Sequence, residues 1–179
     1  LLMIDVMREL HARDPRWRLD IVGDGPLTTT VTERTLELGL GDVVRMHGHI
    51  ANGSALHAMY RRAHAFLHVS FTEGLPQVLF EAAAAGLPMV ATDVGGVRAA
   101  LQEGSAGLLI PPADAAPAAR ALELLRDDEA LRDSLVEKAL LMARSNTIEQ
   151  SHRQILALIA AHTPQAGEAF ALTARMAND

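Results

Sequence analysis

Two carboxylates flank a segment that has the features of a helix start. Seven residues lie between Glu73 and Glu81, and the first of the pair is followed by Gly74-Leu75-Pro76. Proline suits the first helical position, because its φ is fixed and its missing N–H would have had no partner there. The next amides would lie in the unsatisfied first turn, where the helix dipole favours an anion. One ligand could therefore meet two carboxylates and a helix start suited to phosphate.

The two residues after the proline, Gln77 and Val78, would supply these amides. Glu81 follows them by four and three positions and so shares their face of the helix. Glu73 lies in the preceding loop. The alternative is an ordinary alanine-rich packing helix with a solvated glutamate at each end, and the spacing alone gives the two interpretations equal weight.

Glycine-containing turns follow several of the other predicted strands. The run at 23–26 lacks the third glycine and the full spacing of a dinucleotide fingerprint, which argues against an NAD dehydrogenase. Paired glycines let a backbone approach a ligand closely, although each of these segments can equally be a plain turn. The candidate residues in these turns are Gly23, Asp24, Gly25, His49, Ile50, Asp93, Gly95 and Gly96.

Hydrophobic periodicity and turn residues predict alternating strands and helices. Helices are predicted over 1–13, 28–38, 53–62, from 76 onward, and over 97–102, 116–126, 128–143 and 147–161, with strands over 17–22, 43–46, 64–69, 88–91 and 107–110. This alternation predicts an α/β fold with a parallel sheet and helices on both faces. Such sheets bind ligands outside the carboxyl ends of their strands, where the candidate loops lie.

Composition narrows the classes of function. The chain has 179 residues, of which 49% are hydrophobic, 21% charged and only 3% aromatic, as in a globular protein with an aliphatic core. A net charge of −6 gives no support for a nucleic-acid partner. There is no cysteine, no secretory signal and no apolar run of membrane-spanning length. The opening residues have helical spacing without a cap or a start methionine, and we interpret the chain as a piece of a longer protein.

Six segments together resemble the donor-binding half of retaining glycosyltransferases of the GT-B fold, in particular family 4 (glycosyl transferases group 1). They occur in the order that the family shows: 19–26, 45–50, 63–70, 73–81, 91–96 and 107–112. The resemblance implies a Rossmann-like sheet followed by C-terminal helices. It implies a donor-binding domain over 1–162, truncated at its N-terminus, a tail over 163–179 with a helical-looking stretch at 168–176, and an acceptor-binding domain that is absent from this chain.

The resemblance also assigns roles to residues. Glu81 would bind the ribose hydroxyls, and a carboxylate suits a diol because it only accepts hydrogen bonds. Glu73 would be the catalytic residue that faces the transferred sugar. The backbone from Gly74 to Val78 would cradle the diphosphate and nearby sugar hydroxyls. The remaining donor-binding residues would be Gly23, Asp24 and Gly25 along the nucleotide cleft, and His49 and Ile50 near the base.

The implied activity is transfer of a hexosyl unit from a UDP- or GDP-linked sugar to a glycan or lipid-linked acceptor, with retention and with neither cofactor nor metal. No predicted helix carries a His-x-x-x-His pattern, and there is no Asp-x-Asp pair to indicate a metal site. The full enzyme would act in bacterial polysaccharide or glycolipid synthesis, in the cytoplasm or at the inner membrane face, and this chain alone would be inactive. A GT-B nucleotide-sugar epimerase and a non-catalytic nucleotide-binding module remain as alternatives.

Three departures from the family pattern bear on these roles. The family's Arg and Lys that neutralise the diphosphate would precede Leu1. The glutamate that usually follows the glycine pair by three positions is Ala99, and an aspartate common in the strand before the glutamates is His64. The main phosphate clamp is therefore expected outside this sequence.

Overall fold

The computed structural model describes residues 1–162, and the chain divides into two compact units after Ala143. In the first unit strands and helices alternate. The strands are β1 Leu19–Ile21, β2 Val44–Met46, β3 Phe66–His68, β4 Met89–Thr92 and β5 Leu108–Ile110. The helices are α1 Leu2–Arg13, α2 Thr28–Glu37, α3 Ser54–Arg62, α4 Gln77–Ala84, α5 Val97–Ala100, α6 Ala115–Asp127 and α7 Glu129–Ser145, whose last residues belong to the second unit. The second unit contains α8, Ile148–His162.

All the strand pairs formed between these strands are parallel, as predicted, but they form two sheets. β1 pairs with β2, and the other sheet has the order β3-β4-β5. A cleft of about 870 Å³ is bordered by residues of both β1 and β3, including Leu19 and Leu67, and by α1 and α6. β1 and β3 border this cleft and do not pair with each other, and within residues 1–162 each has a strand on one side only.

Helices cover both faces of the three-stranded sheet, and β4 is buried along its whole length. Successive side chains of a strand point to opposite faces. Met89 and Ala91 pack in one cluster with residues of α4, α5 and α7, whereas Val90 packs in another with residues of α1 and α6. Burial on both faces is what a parallel sheet requires, and the predicted fold class is confirmed.

The element boundaries agree with the sequence predictions apart from small shifts. Pro76 is the N-cap of α4 rather than its first residue, because its ψ of 110° is extended. The helix predicted over 97–102 ends at Ala100, and a 3₁₀ turn follows at Gln102–Gly104. Gln102 and Glu103 have φ values of 51° and 58°, which an α-helix cannot accommodate.

The second unit is described through α8, which agrees with the helix predicted over 147–161. The tail over 163–179, with the stretch predicted to be helical, lies outside the described residues, and the predicted boundary at 162 stays a prediction. Within 1–162, none of the helices combines the length and the apolar character needed to cross a bilayer.

Candidate functional site

The loop that carries Glu73 is anchored to the end of β4 by a buried threonine. Thr92 is fully buried, and its Oγ1 accepts a hydrogen bond from the Ser70 amide and donates one to the Ser70 carbonyl, both at 2.9 Å. Ser70 Oγ in turn donates to the Thr72 carbonyl at 2.8 Å. Because Thr92 pairs with both the amide and the carbonyl of the half-buried Ser70, it holds the start of the loop in place.

The glycine pair after β4 supports the same loop from the side. A Cβ on Gly95 would lie 1.9 Å from the Glu73 carbonyl oxygen, and one on Gly96 would lie 2.0 Å from the Gly74 carbonyl oxygen. The Gly96 amide also donates to the Glu73 carbonyl at 3.3 Å. The close approach expected of this pair is therefore made to the backbone of the Glu73 loop, which fixes the position of that loop against the sheet.

The start of α4 provides free donors beside this loop. The first hydrogen bond of the helix runs from the Leu79 amide to the Pro76 carbonyl at 3.2 Å. In the part of the chain that the structure describes, the amides of Gln77 and Val78 have no hydrogen-bond partner. Gln77 is exposed and Val78 half-buried, whereas Leu79 is fully buried and anchors the helix in the core. The helix thus presents two unpaired N–H groups at its positive end.

Glu81 is held by a tyrosine from α3. The Tyr60 hydroxyl donates to Glu81 Oε2 at 3.0 Å in a partly buried contact. Burial, the hydrogen bond to Glu81 and the charge of that carboxylate all raise the pKa of Tyr60 above its usual value near 10. The phenol therefore stays protonated at neutral pH and acts as a donor, and Oε1 of Glu81 has no protein partner among residues 1–162.

A histidine from β3 lies against Glu73. His68 Nε2 is 3.2 Å from Glu73 Oε1, and the two side chains are 15% and 27% exposed. The angles of this contact fall outside hydrogen-bond geometry, so Nε2 is a buried nitrogen without a hydrogen-bond partner among the described residues. The His68 ring stacks on Phe66 at a centroid distance of 6.5 Å, and Phe66 packs against the Tyr60 ring at 5.8 Å.

The 23–25 turn, predicted to line a nucleotide cleft, meets the loop that is predicted to lie near the base, at the carboxyl ends of β1 and β2. Gly23 and Gly48 form an antiparallel bridge, in which the Gly23 amide donates to the Gly48 carbonyl at 2.8 Å. Both glycines have positive φ. The bridge brings the 23–25 turn next to the loop that carries His49, which is exposed, and Ile50, which is half-buried.

The predicted residues thus form two groups. One group is built on the ends of β3 and β4 and contains both glutamates, the start of α4 and the glycine pair. The other is built on the ends of β1 and β2. Within residues 1–162 no hydrogen bond or ion pair joins the two groups. Asp93, directly after β4, is paired with the Arg98 guanidinium through two nitrogens, which raises the pKa of Arg98.

Comparison with known proteins decides the family. The sequence pattern of the family described as glycosyl transferases group 1 matches residues 1–142. The chain belongs to this family. The curated relatives include a D-inositol 3-phosphate glycosyltransferase of Corynebacterium efficiens, which is 35% identical over 150 residues, covering 80% of this chain and 35% of the relative. An exopolysaccharide phosphotransferase of Streptomyces coelicolor is 40% identical over 129 residues, covering 70% of this chain and 13% of the relative.

Solved structures of group 1 and related glycosyltransferases share the fold. Anabaena HepE in complex with UDP and glucose superimposes with a TM-score of 0.79 at 20% identity, over 89% of this chain and 44% of HepE. The C-terminal domain of LpcC, a glycosyl transferase group 1 protein from Francisella tularensis, gives a TM-score of 0.70 at 20% identity, over 81% and 77% of the two chains. At this identity the likeness shows the GT-B type of fold, as the sequence predicted. The chain spans well under half the length of the curated relatives it matches.

The sequence did not predict the residues that contact the two glutamates or anchor the loop of Glu73. Tyr60 is 21 positions before Glu81, and His68 and Thr92 are buried or half-buried residues of strands. A weak signal was present: Phe66 and His68 are two positions apart in a strand and so share one face. The contact of that face with Glu73 and Tyr60 depends on tertiary packing, which periodicity does not reveal.

Proposed function

We propose that this chain is the donor-binding part of a retaining glycosyltransferase that takes a hexosyl unit from a UDP- or GDP-linked sugar. The observation that carries the proposal is the start of α4, where two unpaired amides lie between two braced carboxylates. Relatives named as glycosyltransferases, and the structure of HepE with UDP and glucose, support the choice of ligand class.

In this proposal each part of the site binds one part of the donor. The amides of Gln77 and Val78 bind the diphosphate, Glu81 accepts hydrogen bonds from the ribose diol, and Glu73 faces the transferred sugar. The 23–25 turn with His49 and Ile50 borders the nucleoside. When the bond between the anomeric carbon and the diphosphate oxygen breaks, the helix start stabilises the negative charge that develops on the leaving group.

Charge is supplied by the protein rather than by a metal in this scheme. As the resemblance to the family implies, the main cations for the diphosphate are expected from a part of the enzyme outside this sequence. The acceptor, a glycan or a lipid-linked sugar, would be bound by that same part. We place the complete enzyme in the cytoplasm or at the inner membrane face of a bacterium, in polysaccharide or glycolipid synthesis.

Calorimetric titration of the 179-residue chain with UDP, GDP, ADP and NAD tests the proposal. We expect UDP or GDP to bind, with an affinity that EDTA does not change. Glu81→Gln should weaken nucleotide binding about tenfold or more, because hydrogen bonds to a charged group contribute about 1.5–3 kcal/mol. Glu73→Gln should weaken UDP-glucose, or its GDP counterpart, more than the bare nucleotide.

Glu137→Gln is the matched control, since Glu137 is an exposed residue of α7. It should leave every affinity unchanged. Preference for NAD, or binding that requires Mg²⁺, would contradict the proposal. Equal losses for sugar-bearing and sugar-free ligands in Glu73→Gln would remove Glu73 from the sugar subsite.

A further inference from the structure

We propose that Tyr60 and His68 are positioning residues, one for each glutamate of the site, and that Phe66 joins them into a single row of rings. The inference rests on the proposed function and adds two residues to it. Tyr60 would set the orientation of the carboxylate that receives the ribose, and His68 would set that of the carboxylate that faces the sugar.

The contact at Glu81 is directional. The Tyr60 hydroxyl occupies Oε2 at 3.0 Å, which leaves Oε1 and the second lone pair of Oε2 for a ligand. A glutamate side chain has three rotatable bonds, and ordering it costs conformational entropy. Without Tyr60, this cost would reduce the free energy of ligand binding. With Tyr60 in place, that cost is met on folding, so the carboxylate is ready for a diol before the nucleotide arrives.

The contact at Glu73 is close but incomplete. His68 Nε2 is buried, lies 3.2 Å from Glu73 Oε1 and has no hydrogen-bond partner among the described residues. A buried polar atom without a partner is costly, and a small rotation of the Glu73 side chain would satisfy it. His68 therefore favours a subset of Glu73 conformations and keeps the carboxylate beside the sheet rather than in solvent.

The ring of Phe66 lies between these two contacts. It stacks on His68 with an interplanar angle of 8° and packs against Tyr60 at 49°, so the three rings form a continuous row from Glu81 to Glu73. Phe66 and His68 lie on one face of β3, and Tyr60 reaches them from α3. Tyr60→Phe keeps the row and removes only the hydroxyl, whereas His68→Phe keeps an aromatic ring in the row, slightly larger than the imidazole, and removes both ring nitrogens.

The test uses this chain with Tyr60→Phe and His68→Phe, and with UDP, 2′-deoxy-UDP and UDP-glucose as probes, or with the guanosine series if wild type binds GDP. We expect Tyr60→Phe to weaken UDP and UDP-glucose alike, by about tenfold, and 2′-deoxy-UDP much less, so that the preference for ribose shrinks. We expect His68→Phe to leave UDP unchanged and to reduce the advantage of UDP-glucose over UDP about threefold or more.

His57→Phe is the control, because His57 is an exposed residue of the same helix as Tyr60 and contacts Asn52. It should change none of the affinities, and thermal melts will identify a variant that fails to fold. Where a phenylalanine variant is unstable, Tyr60→Trp and His68→Gln repeat the measurement. A purely structural role would weaken all probes equally.

The results distinguish a failure of the positioning roles from a failure of the proposed donor-binding function. If wild type binds UDP or GDP and Glu81→Gln weakens the binding, but Tyr60→Phe binds as tightly as wild type or more tightly, the inference on Tyr60 is overturned and the proposed function stands. An unchanged UDP-glucose advantage in His68→Phe overturns the inference on His68. If wild type binds neither nucleotide, both the proposed function and the inference are wrong.

Discussion

Tyr60 is the one tyrosine of the chain, which makes its state directly measurable. Tyrosinate absorbance in a pH titration will report this residue alone. We expect the native protein to titrate above the ordinary tyrosine pKa near 10, because burial and the Glu81 carboxylate disfavour the phenolate. In denaturant the pKa should return to about 10, and in native Glu81→Gln it should fall toward that value.

The same shift has a consequence for stability. The folded state keeps the phenol protonated at pH values where the unfolded chain ionises, since its pKa is raised on folding. The contribution of this group to stability is therefore fully present below about pH 10 and is lost as the pH rises through the folded pKa. A native titration at the ordinary pKa would mean that the contact with Glu81 does not persist in solution.

The sequence predicted Glu73 and Glu81 as candidate site residues, and their roles stay predictions. They were singled out because their spacing around a proline has a local meaning and because the segment resembles a motif of the family. Tyr60 and His68 carry no such local meaning, because each acquires its role from a residue that only the folded chain brings near.

At the scale of elements, the close packing of the turn after β4 predicts the effect of adding a single methyl group at Gly96. Gly96 has a φ of −81°, so a side chain there is acceptable to its own backbone, but its Cβ would lie 2.0 Å from the Gly74 carbonyl oxygen. Gly96→Ala should therefore displace the Glu73 loop and lower both the melting temperature and the affinity for a nucleotide-sugar. Gly25→Ala, where a Cβ has open space around it, is the control and should leave stability nearly unchanged.

Unchanged stability in Gly96→Ala would show that the loop can move away without cost, which would contradict the anchoring described for it.

The helices and strands were predicted within a few residues, because apolar periodicity and the positions of glycine and proline are local signals. The 3₁₀ turn at Gln102–Gly104 was missed because two non-glycine residues adopt positive φ there, which nothing in their identity indicates.

At the scale of the whole molecule, the proposed donor site leads to a prediction about activity. The chain should fold and bind nucleotide weakly, yet transfer no sugar, because an acceptor must be oriented against the donor for the reaction to proceed. An assay of sugar transfer and donor hydrolysis, made with this chain and with a protein extended to the length of its relatives, will check this. Turnover by the short chain at the rate of the longer protein would contradict the proposed division of labour.

The sequence predicted parallel strands but not which of them would pair. Periodicity identifies a strand, whereas pairing depends on which other strands lie beside it, and only the structure shows that β1 and β3 border the same cleft. Each of these strands carries a row of backbone N–H and C=O groups that no neighbouring strand of residues 1–162 satisfies on that side.

Strand edges with unpaired N–H and C=O groups readily form hydrogen bonds with a strand from another chain. An extended polypeptide that lay in the cleft parallel to β1 and β3 could form hydrogen bonds with both strands. The two sheets would then become one continuous sheet. Within residues 1–162, β1 and β3 each leave an edge at the cleft that can act as a template for non-native pairing with another copy of the chain. We expect concentrated solutions to self-associate while helical circular dichroism is still intact, as sedimentation velocity over a concentration series will show. A strictly monomeric protein at high concentration would mean that the cleft keeps its edges out of reach.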